Sequence, residues 1–305
     1  MLSRDTNQLR LAKNSMADLS EAGGQTGAGA NPLAGVRLAF VGAGVMAESM
    51  IAGLLARELV APAQVAGSHP RAHRREELQA KYGVEVFESN QEAASAAGAG
   101  GIVIVAVKPQ KLVGVLKDLK DAVPADALVV SIVAGARIET IAGELLHPAV
   151  VRAMPNTPAQ VGEGMTVWTA TPQVTELQAG QVRAMLGALG REMRVEEERQ
   201  IDMATALSAT GPTYVFLVME ALIDAGVHMG FSREAARELV IQTILGSVLF
   251  ARASHKHPAE LRNMVTSPGG TSAEAIYQME KGGLRTVLSK AVYAAFQRAV
   301  ALGKK

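Results

Sequence analysis

The chain has 305 residues, of which 49% are hydrophobic, 19% charged and 4% aromatic, with a formal net charge of +1. That is apolar material for about two packed domains, at roughly 100–200 residues each, and it excludes a mainly disordered chain. The near-neutral charge gives no sign of a nucleic-acid or membrane-surface binder. The absence of cysteine removes disulfides, thiolate metal sites and cysteine nucleophiles, and no metal site is expected.

Residues 1–35, ending in GGQTGAGANPLAG, carry no sustained apolar period. A secretory signal needs roughly 7–15 consecutive apolar residues, and none occur here. The scattered acids Asp5, Asp18 and Glu21 are unlike a transit peptide. We read 1–35 as a disordered leader, with Met16 as an alternative start. No stretch of ~20 apolar residues stands out, so a membrane span is not expected and a cytoplasmic location is the default.

From Val36 the pattern alternates strand and helix. VRLAFVG reads as a buried parallel strand and runs straight into the helical spacing of GAGVMAESMIAGLLARELV. Gly42, Gly44 and Ala47 stand at the junction in the GxGxxG/A arrangement. The first glycine permits a tight turn, the second lets backbone approach a pyrophosphate, and the small third residue lets helix and strand pack closely. Such a string is weak alone; its place between strand and helix makes it a dinucleotide fingerprint. The following helix start offers free N–H groups to phosphate.

The second strand, QVAGS, ends without the Asp or Glu that would bind a ribose 2′-OH. Ser68, His69 and Arg71 stand there instead, and a hydroxyl with an arginine suits a 2′-phosphate. NADPH is therefore expected, with NADH still open. Arg74 and Arg75 read as solvating the next helix. Further strands follow at VEVF, GIVIVAV, ALVVSIV and AVVRAM, with helices between them. Lys108, Ala134-Gly135 and Met154-Pro155-Asn156 fall at strand carboxyl ends, where open parallel sheets bind their ligands. GMTVWTA and REMRVEE extend the sheet, with room for an antiparallel edge strand, and Trp168 packs in or beside it.

After Glu198 the β pattern stops. DMATALSATGPTYVFLVMEALIDAGVHMG reads as helical with a break at Gly211-Pro212. The helix starting at the N-cap Ser232 has a nearly continuous apolar face, so burial on several sides is expected. An all-helical domain of about 100 residues cannot bury that much internally, which predicts dimerisation across a two-fold axis. Near its end, Val265-Thr266-Ser267-Pro268-Gly269-Gly270-Thr271-Ser272 combines a Pro-Gly-Gly turn, four hydroxyls and a helix start. Such a turn can hold a carboxylate on amides alone, with Ser272 placed beside the bound acid.

FVGAGVMA, VAVKPQ, MPNTPAQVGEG, ALSATGPTYVF and VTSPGGTSAE occur in this order from Val36 to about Ala301. In them the chain resembles the pyrroline-5-carboxylate reductase family. The resemblance implies an α/β Rossmann-type domain over 36–197 and an all-helical substrate-binding and dimerisation domain over 198–305. It also implies a homodimer that can assemble into a decamer; no nucleic-acid or membrane partner is expected from the charge and the hydropathy pattern. The implied reaction is NADPH-dependent reduction of the imine of 1-pyrroline-5-carboxylate to L-proline, the last step of proline biosynthesis.

By the same resemblance, Gly42, Ala43, Gly44, Val45 and Met46 hold the pyrophosphate, and Ser68, His69 and Arg71 lie near the 2′-phosphate. Asn90, Val107, Lys108, Ala134 and Gly135 lie along the rest of the cofactor. Ser267, Gly269, Gly270, Thr271 and Ser272 bind substrate, with Ser272 as the catalytic group and Glu198 near the bound ring. The sequence departs from the family in Ser272, where Thr is common, and in SATGPTY, where SGSGPAY is usual. Two alternatives stay open on the residues themselves: a hydroxyacid dehydrogenase of the same layout, or a non-catalytic NADP-binding regulator. The first usually has a catalytic lysine in its helical domain, and Lys256, Lys281 and Lys290 stand in no such motif.

Overall fold

The computed structural model describes residues 31–303. Its first part alternates β1 (Leu38–Val41), α1 (Val45–Ala56), β2 (Val65–Ser68), α2 (Ala72–Tyr82), β3 (Glu85–Phe87), α3 (Asn90–Ser95) and β4 (Ile102–Val105). α4 (Leu112–Leu119), β5 (Leu128–Ser131), α5 (Ile138–Leu145), β6 (Val150–Met154), β7 (Gly164–Ala170), α6 (Glu176–Gly187) and β8 (Gly190–Arg194) follow. The strands form one sheet in the order β3-β2-β1-β4-β5-β6-β7-β8.

β1 to β6 are parallel, β7 runs antiparallel to β6, and β8 is parallel to β7. Two strands are therefore reversed, where a single antiparallel edge strand was expected. The β6–β7 connection carries only the short 3-10 turn Thr157–Val161. A connection that short cannot make a parallel crossover, so β7 returns antiparallel, and α6 then allows β8 to follow β7 in parallel.

Alternate residues of one strand feed opposite faces. Leu38, Phe40, Ile102 and Ile104 join Met50 and Trp168 in one core, while Ala39, Val41, Val103 and Val105 join Leu116 and Ile141 in the other. Burial on both faces is why these strands read as continuous apolar runs. Trp168 is fully buried, donates from Nε1 to Glu192 Oε2 at 2.5 Å and has Arg194 over its ring.

The expected leader is too long at its carboxyl end. Leu33 is fully buried, Asn31 Nδ2 donates to the Leu59 carbonyl at 2.8 Å, and Gln64 Nε2 donates to the carbonyls of Leu33 and Val36. Residues 31–35 thus belong to the fold; the rest of that expectation lies outside the described residues.

The helical part contains α7 (Arg199–Ala204), a π-helical turn Thr205–Ala209, α8 (Gly211–His228), α9 (Arg233–Ser254), α10 (Pro258–Met264), α11 (Thr271–Lys281) and α12 (Leu284–Leu302). Compactness divides the chain differently from the expected boundary at 197/198. Asn31–Val215 with residues from Thr286 onward form one unit, and Phe216–Arg285 the other.

The expected break at Gly211-Pro212 is instead a widened turn. Pro212 has no N–H to give the Ser208 carbonyl. The helix absorbs this through Thr210 N–H, which donates five residues back to Thr205 O at 2.9 Å. Because it does not end there, Arg199–His228 is one helix, long and apolar enough by length and composition alone to cross a membrane.

α9 is capped by Ser232, whose Oγ accepts from Ala235 N–H at 3.1 Å. Its expected burial is not found within one chain: Leu239, Leu245, Val248 and Phe250 are exposed. A unit of about 70 residues has too little interior to cover so extended an apolar face.

Candidate cofactor and substrate sites

β1, β4, β5 and β6 are parallel and end at Val41, Val105, Ser131 and Met154. The loops after them therefore open at the same edge of the sheet. At β1 the chain turns through Gly42, with φ of +90°. A Cβ on Gly42 would lie 2.8 Å from Val107 Cγ1 and 3.2 Å from the Ala106 carbonyl carbon. Gly42 N–H donates to Ser68 Oγ at 3.0 Å, Ala43 N–H to Ser68 O at 2.7 Å and Gly44 N–H to Gly42 O at 2.8 Å. Of the five residues expected to hold a pyrophosphate, these three spend their amides on shaping the turn. Val45 and Met46 open α1, so their N–H groups lack intrahelical acceptors and point with the positive end of the helix. A Cβ on Gly44 would meet nothing within 4 Å, which leaves space for a phosphate group.

Ser68 does not fit its expected place near a 2′-phosphate. It is fully buried, accepts from Gly42 N–H, and donates from Oγ to Asn90 Oδ1 at 2.7 Å. Both hydroxyl functions are used to brace the glycine turn, and Asn90 acts through it. His69 is half-buried; burial, reinforced by the positive charges of Arg74 and Arg71, holds its imidazole below the usual range. Arg71 is exposed at the amino end of α2 and makes no side-chain hydrogen bond or ion pair among the described residues.

Arg74 and Arg75 are not the solvated pair expected. Arg75 donates to the His69 carbonyl at 2.9 Å and to Glu88 at 3.0 Å. Arg74 grips Glu48 and Glu77, and Glu48 also accepts from Lys81 at 3.0 Å and Tyr82 at 2.9 Å. Burial alone would raise the Glu48 pKa. The bonds from Arg74, Lys81 and Tyr82 overcome it and lower the pKa from 4.5 to about 2. A carboxylate held below its unfolded value stabilises the fold fully above pH 4.5, and that contribution is lost as pH falls toward 2. We expect about 3 kcal/mol to vanish across that window. Glu48→Gln, followed by urea unfolding at stepped pH, should flatten the dependence; an unchanged slope would refute the assignment.

Lys108 is exposed, three residues past β4, and Val107 packs on the Gly42 turn. Gly135, with φ of +76°, answers a different demand. Its missing side chain admits the end of α12, a Cβ there lying 2.8 Å from Leu302 Cβ. Glu198 Oε1 accepts from Ile138 N–H at 2.8 Å and from Arg152 Nη1 at 2.9 Å. Arg152 Nη2 reaches Asp202 at 2.5 Å. Arg152 and Asp202 escaped the sequence reading. The signal was an arginine inside the apolar run VVRAM, with two acids four residues apart at the start of α7.

In the other unit, Gly269 takes φ of +70° and Gly270 caps α11. Gly270 N–H donates to Ser267 O at 3.0 Å, so it is spent inside the turn and is not free for a carboxylate as expected. Thr266 Oγ1 is likewise spent, on Arg262 O at 2.7 Å. Thr271 and Ser272 are the first two residues of α11, where N–H groups have no intrahelical acceptor. The hydroxyls of Ser267, Thr271 and Ser272 have no partner among the described residues.

A 3-2-1-4-5-6 parallel core with a glycine turn at the head of its first strand defines a dinucleotide-binding protein of the Rossmann class. A family model described as NADP oxidoreductase coenzyme F420-dependent matches residues 37–135, and one described as pyrroline-5-carboxylate reductase dimerisation matches 198–302. The chain is 40% identical over 270 residues to the pyrroline-5-carboxylate reductase of Synechocystis sp., covering 88% of this chain and 99% of that one. It is 41% identical over 270 residues to that of Pseudomonas aeruginosa, covering 88% and 97%. The structure of Plasmodium falciparum pyrroline carboxylate reductase with NADP bound matches at a TM-score of 0.80 and 31% identity, over 88% of this chain and 98% of that one. The chain belongs to the pyrroline-5-carboxylate reductase family.

Proposed function

We propose that this chain reduces the cyclic imine of 1-pyrroline-5-carboxylate with NADPH, giving L-proline. The observation that carries this reading is the turn Ser267–Ser272, set in a chain that matches its reductase relatives over nearly their whole length. It pairs two first-turn amides with unspent hydroxyls and contains no basic side chain. That is a site for a small carboxylate.

The cofactor end fits a dinucleotide phosphate. Val45 and Met46 offer amides beside the open space at Gly44, and Arg71 offers a guanidinium that has no partner among the described residues, beyond β2. When bound, NADPH supplies the hydride that the imine carbon accepts. The ring nitrogen keeps its proton as the C=N bond becomes C–N, so a protonated imine needs no further acid. The amides of Thr271 and Ser272 hold the carboxylate, and the Ser272 hydroxyl meets the ring nitrogen. The hydroxyl is too weak an acid to be the proton source; water or the already protonated substrate supplies it. The chain's main contribution is to hold the reacting atoms ~3–3.5 Å apart.

Ser272→Ala is expected to lower kcat/KM roughly ten- to a hundredfold, the scale of one lost polar contact. Unchanged kinetics would remove Ser272 from the mechanism. The reaction is tested by loss of reduced-nicotinamide absorbance with racemic pyrroline-5-carboxylate, followed by chiral analysis for L-proline. Oxidation of a β-hydroxyacid with NADP⁺ would instead identify a hydroxyacid dehydrogenase, and cofactor binding without turnover a regulator.

The working form in this reading is a cytoplasmic homodimer, without membrane or nucleic-acid partners. The exposed apolar side chains of α8 and α9 and the match to a dimerisation family support the homodimer. Light scattering on the intact protein distinguishes a dimer from a decamer.

A further inference from the structure

Glu198 sits just before α7, and Asp202 lies four residues on, so the two carboxylates share one face of that helix. Arg152 projects from β6 between them, with its side chain 2% exposed. A planar guanidinium forks naturally onto two carboxylates, which locks α7 onto the sheet. The locked Glu198 then accepts from Ile138 N–H at 2.8 Å. Ile138 is the first residue of α5, whose N-cap Arg137 gives no side-chain cap. A carboxylate from a distant part of the chain thus caps this helix, at its positive end.

The segment held in this way is the loop Ala134–Arg137 at the carboxyl end of β5. It lies at the sheet edge where this fold class receives its dinucleotide, beyond the pyrophosphate turn. Glu198 pins the loop at Ile138, while the end of α12 packs against it at Gly135. We infer that Glu198, oriented by Arg152, is a positioning residue that sets this loop for the nicotinamide half of the cofactor, and that it is not a ligand of the substrate ring. This deepens the reading of the chain as an NADPH-dependent imine reductase and rests on it.

The test uses three variants of the full-length protein. Glu198→Ala deletes the acceptor. Glu198→Gln keeps an oxygen for both bonds. Ile138→Pro deletes the donor and exchanges a side chain that packs on the core for a smaller apolar one, at a first helical position where proline is tolerated, after an Arg137 already in the extended conformation that proline requires.

Glu198→Ala and Ile138→Pro should each raise KM for NADPH about tenfold, the scale of one hydrogen bond to a charged group, with KM for pyrroline-5-carboxylate within twofold of wild type. Glu198→Gln should restore KM for NADPH to near the wild-type value. A rise in KM for the imine with KM for NADPH unmoved would make Glu198 a substrate ligand and overturn the inference. A drop in melting temperature with both KM values unchanged would make it merely structural and overturn it equally. Wild-type protein is the control for the underlying reading. Absence of turnover there would refute imine reduction, while titration of NADPH by its own fluorescence would still read the loop in all three variants.

Discussion

Gly42→Val should abolish detectable NADPH binding and destabilise the sheet unit by about 2–4 kcal/mol. Two costs add. With φ of +90°, residue 42 lies where an L side chain is strained by roughly 1–2 kcal/mol. Independently, even a Cβ would sit 2.8 Å from Val107 Cγ1 and 3.2 Å from the Ala106 carbonyl carbon, and a valine adds two methyl groups to that overlap. The side chain of Val107 can rotate, whereas backbone in the β4 loop cannot without shifting the sheet edge. Relief must therefore come from the turn itself. Moving the turn breaks Gly42 N–H to Ser68 Oγ and Ala43 N–H to Ser68 O, and it re-aims the amides of Val45 and Met46. Urea unfolding and NADPH titration check both parts. A variant that binds NADPH within threefold of wild type would show that the turn does not carry the cofactor.

Arg152→Met should cost about 3–5 kcal/mol of stability, the range for removing one partner of a buried ion pair. Asp202, with its side chain 11% exposed, and Glu198 would both lose their counter-charge in a site packed against β6. Arg152 Nε is buried without an acceptor among the described residues, which lowers what the triad contributes and places the expected loss at the bottom of that range. Replacing the acids as well, in Arg152→Met/Glu198→Gln/Asp202→Leu, should recover most of the loss, because uncompensated charge is the larger part of the penalty. Chemical denaturation of both variants decides it. A single-variant loss under about 1 kcal/mol would mean that water already solvates the acids.

Much of this molecule is legible in one dimension. The apolar runs at 38–41, 102–105 and 128–131 mark strands buried on both faces, and every one forms. The glycine turn is equally plain, because the demand for positive φ and close backbone approach is met by one residue type at one place. The hydroxyl-rich turn at 265–272 likewise announces a helix start. What escaped notice are contacts between residues far apart in sequence. Ser68 looked like a phosphate ligand because its type and position suit one. Only the fold brings Asn90 and Gly42 to its hydroxyl and uses it up. Arg74 looked like a solvated helix residue until α1 delivered Glu48 to it.

The sequence by itself determined the alternation of strands and helices, the dinucleotide turn, the shift to an all-helical second part and the family. Each of these is written in local pattern, periodicity or contiguous motif, which chain order preserves. The tertiary structure decided how polar groups are spent. It separated amides that shape a turn from amides left for a ligand, reversed two strands of the sheet, and joined Arg152, Glu198 and Asp202 to the loop at Ile138. Hydrogen-bond capacity is exhausted by neighbours in space, and those neighbours lie dozens of residues away along the chain.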